Sequence, residues 1–275
     1  MLLPLLPSPP PPYLPAMHVA RLSSRAVVRV SGPDARAFLH GLVTQDVESL
    51  APGALRFGAL LTPQGRMLFD LFLWGEAEGV VLDVAADRRA ALMQRLGLYR
   101  LRAQVEIAAD DRPVLAAWPE APAGFVADPR LAALGGRALG EVAMPDTDEA
   151  AYQAHRLSLG VPDPALDLDE TSYPIDGGLD RLNGIDFAKG CFIGQETTSR
   201  MKRRGEIKKR MLPITFDGPP PVPGAEVLNG ELRAGEVRTG FDGTAIALLR
   251  LDRLEGDLTV DGRPVRVRTP AWLEG

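Results

Sequence analysis

The stretch from Lys189 to Arg210 reads KGCFIGQETTSRMKRRGEIKKR and holds Cys191, the one cysteine of the chain. A thiol just ahead of a helix N-terminus, with a cation such as Lys189 nearby, is stabilised as a thiolate and becomes a better nucleophile and metal ligand. Gly190 would let backbone approach the thiol closely, and Gly194 permits a bend that side-chain-bearing residues resist. Gln195 and Glu196 add a two-sided hydrogen-bonding group and a carboxylate. An isolated cysteine is as readily a small buried core residue; the crowding of functional neighbours favours chemistry here.

Seven basic residues (Arg200, Lys202, Arg203, Arg204, Lys208, Lys209, Arg210) and one acid, Glu206, follow the cysteine. Without this run the chain would hold 24 basic and 35 acidic residues, a net charge of -11 instead of -5. Positive charge is therefore concentrated beside the thiol, and with a screening length of about 8 Å at physiological salt it acts on what docks next to it. Aromatic residues, which single-strand binders use for stacking, do not interleave the run. Two further candidates lie upstream. Asp70 interrupts an apolar strand pattern, where it is equally a structural acid. His40 lies with Thr44 and Asp46 at the end of a helix, with no second ligand at metal spacing, so a core or surface role is expected for it.

The elements that must position these residues are short. A strand over Arg25–Val30 leads into a helix opening at Pro33. Apolar runs at Leu55–Leu61 and Met67–Trp74 flank Thr62-Pro63-Gln64-Gly65 and read as a hairpin. A strand at Val80–Val84, a helix over Asp87–Tyr99 and a strand near Gln104–Ile107 complete an α+β alternation of ferredoxin-like type. Periodicity is weak over 110–146. A helix is expected over Asp146–Leu159, capped by Gly160, and another from Gly194 to Arg204, closed by Gly205. From Pro213 onward, short strands with Asn229-Gly230 and Asp261-Gly262 turns predict a small antiparallel β-barrel.

Composition narrows the function classes. At 275 residues, two or three packed units are expected. Hydrophobic residues make up 45% and charged residues 24%, as in globular proteins, while 28 Gly and 25 Pro argue against a coiled coil or helical bundle. A single cysteine excludes an internal disulfide and, with three histidines, any Cys-rich metal cage; it suggests a reducing cytoplasm. Neither a GxGxxG nor a GxxxxGK[ST] loop is present, so dinucleotide redox chemistry and nucleotide hydrolysis lose their signatures. Residues 1–16 lack a basic n-region and are broken by prolines, which predicts a disordered leader, with Met17 an alternative translation start and no membrane span.

Taken together, KGCFIGQE resembles the KGCYxGQE signature of the YgfZ-type folate-binding proteins, relatives of the glycine-cleavage aminomethyltransferase. GPDARAFLHGLVTQDV, LLTPQGRMLFD, the Tyr99-Arg100-Leu101-Arg102 segment and GFDGTAIALLRL extend the resemblance over most of Ala26–Val267. Phe192 stands where tyrosine is usual. The resemblance implies an aminomethyltransferase-like α+β folate-binding region over 17–212, in two subdomains, followed by a barrel over 213–275. It implies tetrahydrofolate, or a derivative, at a central opening and a role in iron-sulfur cluster assembly or repair, with Cys191 the functional thiol. Asp70 corresponds to one of a pair of acids near the folate amine; Phe69 replaces the other, which weakens aminomethyl transfer. Lys189, Gly190, Gly194, Gln195, Glu196, Arg200, Tyr99, Arg66 and Arg156 are then expected around the folate, Glu196 or Asp70 at its pterin edge and an arginine on its carboxylate tail. One thiol cannot hold a cluster alone, so any cluster is shared transiently with a scaffold, carrier or client protein. Alternatives are a folate-dependent one-carbon transferase and a tRNA-binding accessory using Arg200–Arg210.

Overall fold

The computed structural model describes residues 16–205 and 207–274. Residues 1–15 of the expected leader therefore lie outside the described residues. Strands β1 (His18–Arg21), β2 (Arg25–Ser31), β3 (Leu55–Leu61), β4 (Met67–Glu76), β5 (Gly79–Ala85) and β6 (Glu106–Asp110) alternate with helices α1 (Ala35–His40) and α2 (Arg89–Arg100). Five of the strands form an antiparallel sheet in the order β3-β4-β5-β2-β6. Strand β6 begins two residues later than expected, because Gln104 donates its backbone N–H to the Asp34 carboxylate (2.7 Å) and stays in the turn.

The weakly patterned segment 110–146 is structured. Strands β7 (Val114–Trp118), β8 (Val126–Ala127) and β9 (Gly136–Leu139) pair with β1 in a second sheet, ordered β1-β7-β9-β8. The register His18↔Trp118 joins chain segments a hundred residues apart, a pairing that local periodicity does not reveal.

Alternation decides which face each residue takes. On β4, Phe69, Leu71 and Leu73 pack under α1 and α2, whereas Phe72 and Trp74 face the second sheet. Asp70 shares the parity of Phe72, and Asp83 on β5 shares that of Val81, so both acids project between the two sheets, where they must be paired. Helix α3 (Glu149–Ser158) starts at Asp148, whose carboxylate accepts from Ala151 N; Gly160, at φ +67°, follows its end. The short helix α4 (Pro164–Asp167) has Pro164 in its first turn.

Helix α5 (Gln195–Arg204) precedes the C-terminal unit, in which β10 (Lys209–Phe216), β11 (Glu226–Asn229), β12 (Leu232–Phe241), β13 (Thr244–Arg250), β14 (Leu258–Val260) and β15 (Arg263–Val267) close into a six-stranded antiparallel barrel. The barrel begins at Lys209, so the boundary expected at 212/213 falls inside β10.

Candidate functional site

Cys191 is exposed on the loop leading to α5. That loop is held at both ends. Upstream, the Lys189 ammonium is buried and donates to the carbonyls of His40 and Val43 (2.8 Å for the latter), completing the C-terminal end of α1. Its pKa is pushed down to about 8, chiefly by burial, against the opposing charges of Asp46, Asp186, Glu48 and Cys191. Lys189 thus anchors the loop. Downstream, Gly194 adopts φ +82° and presses on the β3–β4 turn: a Cβ there would stand 2.7 Å from the Thr62 carbonyl and 2.9 Å from the Gly65 Cα. Only glycine meets both demands. Gly190 does not have this constraint; a Cβ would meet only His40 Nε2, at 3.8 Å, so the expected close backbone approach there is not a feature of the fold. Phe192 is buried in the core between the sheets, which suits an aromatic ring without a hydroxyl.

The remaining residues of the motif point elsewhere than expected. Glu196 is 94% exposed and its nearest cation is Arg200, at 3.9 Å one helical turn on. Both side chains lie on the solvent face of α5. Gln195 returns its amide to the Gly190 carbonyl at 3.4 Å, bracing the cysteine loop. The basic run is also divided. Arg210 is buried against Asp180 (3.1 Å), and Lys202 lies over the Phe187 ring at 3.8 Å, while Lys208 and Lys209 remain exposed.

Asp70 lies apart from the thiol, 5% exposed and ion-paired to Arg25 at 2.7 Å. Burial pushes its carboxyl pKa up, with the Arg25 charge opposing. The pair is one end of a chain of charges between the sheets. Arg25 also meets Asp83 (2.6 Å), Asp83 meets Arg137 (2.7 Å), and Asp128 meets Arg130 (2.8 Å), which donates to the Tyr152 hydroxyl (2.9 Å). These arginines were not anticipated. The signal was present in the acids of LFDLF and VLDV, which sit at inward positions of strands and require buried cations.

Arg156, expected on a folate tail, is 1% exposed and instead joins α3 to the Val161 carbonyl, to Asp167 (3.3 Å) and to Thr239 of the barrel. Tyr99 packs, half-buried, into the apolar layer under α1 and α2. Arg66 lies over the Tyr173 ring at 3.7 Å and donates to the Thr171 carbonyl, at the mouth of a cleft of about 320 Å³.

Beside the Arg25–Asp83 pair, Phe72, Arg130, Arg137, Tyr152 and Asp163 wall a cavity of about 10 Å³. That is room for about one water. A cavity of that size does not admit a pterin. Among the described residues no group of three or more His, Cys, Asp or Glu side chains is arranged to hold a metal, and no helix is long and apolar enough to cross a membrane.

Two antiparallel sheets flanked by helices and followed by a closed barrel define an aminomethyltransferase-type fold. The glycine cleavage system aminomethyltransferase T from Bartonella henselae superposes with a TM-score of 0.75, covering 94% of this chain and 86% of that one at 19% identity. Residues 208–275 match the CAF17 C-terminal beta-barrel domain.

More specifically, the chain is 34% identical to the human mitochondrial iron-sulfur cluster assembly factor IBA57, over 87% of this chain and 79% of that protein. It is 32% identical to its counterpart in Mus musculus, with the same coverage. The chain belongs to the IBA57 family, and the YgfZ-type proteins are a related family. Both relatives are named mitochondrial, which corrects the cytoplasmic location expected from one unpaired cysteine. A lone reduced thiol reports a reducing compartment and does not distinguish one such compartment from another.

Proposed function

We propose that this chain is an accessory factor in iron-sulfur cluster assembly or repair that offers Cys191 as one ligand to a cluster whose other ligands come from a second protein. The observation that carries this reading is an exposed thiol on a loop clamped by Lys189 at one end and Gly194 at the other. A preorganised ligand loses little conformational freedom on coordination. The step is a ligand exchange without redox change: the thiol gives up its proton, the thiolate donates an electron pair to an iron of the incoming cluster, and the thiolate that held that position leaves carrying a proton. Clusters of the [2Fe-2S] type take four protein ligands, so three must come from the partner. The family's named role supports the reading. No step uses Asp70, because its carboxylate is buried against Arg25.

The test is anaerobic mixing with an iron-sulfur carrier protein, ferrous iron and sulfide, followed by size separation with visible absorption and EPR. Wild type is expected to co-elute with cluster and carrier; Cys191→Ser should not, while keeping its thermal midpoint. A cluster-bearing complex formed equally well by Cys191→Ser would overturn the proposal.

A further inference from the structure

A groove runs along the seam between the α+β body and the barrel. Two clefts of about 470 and 320 Å³ share Thr171, Lys209 and Leu248 and form its two halves. Lys208, Lys209, Arg66, Arg250 and Arg253 line it, in a chain whose net charge is -5. Arg250 is matched by Asp252 (2.8 Å). Lys208 and Lys209 have no carboxylate within ion-pair distance among the described residues, and Arg253 spends its guanidinium on the Arg233 carbonyl. The sign of the surface thus inverts here. An acidic partner is repelled by the acidic remainder of the chain and attracted to this seam. Half-buried Met201 and Leu248 give the groove an apolar floor.

We propose that this groove docks an acidic segment of a partner protein, its carboxylates meeting Lys208, Lys209 and Arg66 and an apolar side chain lying on Met201 and Leu248. Asp169 and Glu236, which also line the groove, are already paired to Arg238 (3.3 and 2.7 Å) and leave Lys208 and Lys209 free for a partner's carboxylates. Two features favour a peptide over a nucleic acid. Tyr173, the aromatic ring of the lining, is already covered by Arg66, leaving no free platform for a base. An apolar floor serves a leucine or phenylalanine side chain and gives nothing to a sugar-phosphate track.

The groove is also close to the thiol. Gly194 touches Gly65, Arg66 follows Gly65, and Cys191 lies three residues before Gly194. At 3.8 Å per residue, the Cα atoms of Cys191 and Arg66 are within about 20 Å of each other. A protein seated in the groove can therefore bring its own ligands to Cys191. This deepens the proposed function, yet the binding itself does not depend on the cysteine.

The experiment is fluorescence anisotropy of the full chain with a fluorescein-labelled synthetic peptide, EDLLEDLLED, at physiological salt, with unfractionated tRNA as competitor. Lys208→Glu/Lys209→Glu is expected to weaken binding at least about tenfold without shifting the thermal midpoint, Leu248→Ser to weaken it as much while the chain still unfolds cooperatively at a lowered midpoint, and excess tRNA should not displace the peptide. Arg66→Gln provides a third, charge-neutralising variant at the opposite wall and should weaken binding in the same direction. Binding that is indifferent to all three variants overturns the proposal, as does displacement by tRNA. Cys191→Ser is expected to bind the peptide as wild type does. If that variant retains cluster transfer, the thiol reading fails alone; if the groove variants retain peptide affinity, the docking reading fails alone.

Discussion

Asp83 is the most consequential charge in the molecule outside the thiol loop, because it faces two guanidiniums at once. One carboxylate oxygen lies 2.6 Å from Arg25 Nε, the other 2.7 Å from Arg137 Nη2, and the side chain is 0% exposed. Replacing it by asparagine keeps the volume but removes the negative charge, and turns an amide N–H₂ toward one of the two donors. Arg25 retains Asp70, whereas Arg137 is left with Asp128 at 3.9 Å. Breaking a buried pair by removing one partner costs about 3–5 kcal/mol, since the other charge stays buried without compensation. At about 2–4 °C per kcal/mol for a protein of this size class, Asp83→Asn should lower the thermal midpoint by roughly 6–20 °C. The double variant Asp83→Leu/Arg137→Met should recover much of that loss, because apolar side chains suit the space between two apolar sheets. The assay is thermal unfolding followed by circular dichroism, with iodoacetamide labelling of Cys191 to confirm that the loop keeps its native form. A single variant within about 1 kcal/mol of wild type would refute the reasoning, as would a double variant no better than Asp83→Asn.

Gly194→Ala should displace α5 and destabilise the chain by about 1–3 kcal/mol through its left-handed backbone and the Thr62 contact, whereas Gly190→Ala should be near neutral; equal effects in urea unfolding would contradict the loop geometry. The Asp169 carboxyl feels a burial effect that raises its pKa, but bonds from Thr171 and Ser172 and the Arg238 charge outweigh it and hold the pKa at about 2. Its contribution is therefore complete above the ordinary carboxylate pKa of about 3.9 and is lost as pH falls toward 2, so the midpoint-versus-pH curve of Asp169→Asn should run flatter than wild type across that window. Tetrahydrofolate added anaerobically in a calorimeter should give no saturable heat with Arg25, Arg130 and Arg137 in place at the centre; micromolar binding would show that these side chains withdraw.

Much of this molecule is legible in its residue order, because the signals concerned are local. The hairpin around Thr62–Gly65, helix α2, helices α3 and α5 with their glycine caps, and the barrel's turn dipeptides all follow from period, capping and turn chemistry within a few residues. The KGCFIGQE run likewise marks Cys191 and Gly194 by residue type and spacing alone. What folding alone decided is which distant residues meet. Strand β1 finds β7 across a hundred positions, and Arg25, Asp70, Asp83, Arg130 and Arg137 converge between two sheets from five separate segments. Strand parity shows that Asp70 and Asp83 face inward, but no pattern shows which cations answer them. For the same reason Arg156 and Glu196, alike in the sequence as charged residues near a motif, part ways in space. The first is sealed against Asp167 and the barrel, the second stands in solvent, and burial relative to the rest of the chain is a property that only the packed structure assigns.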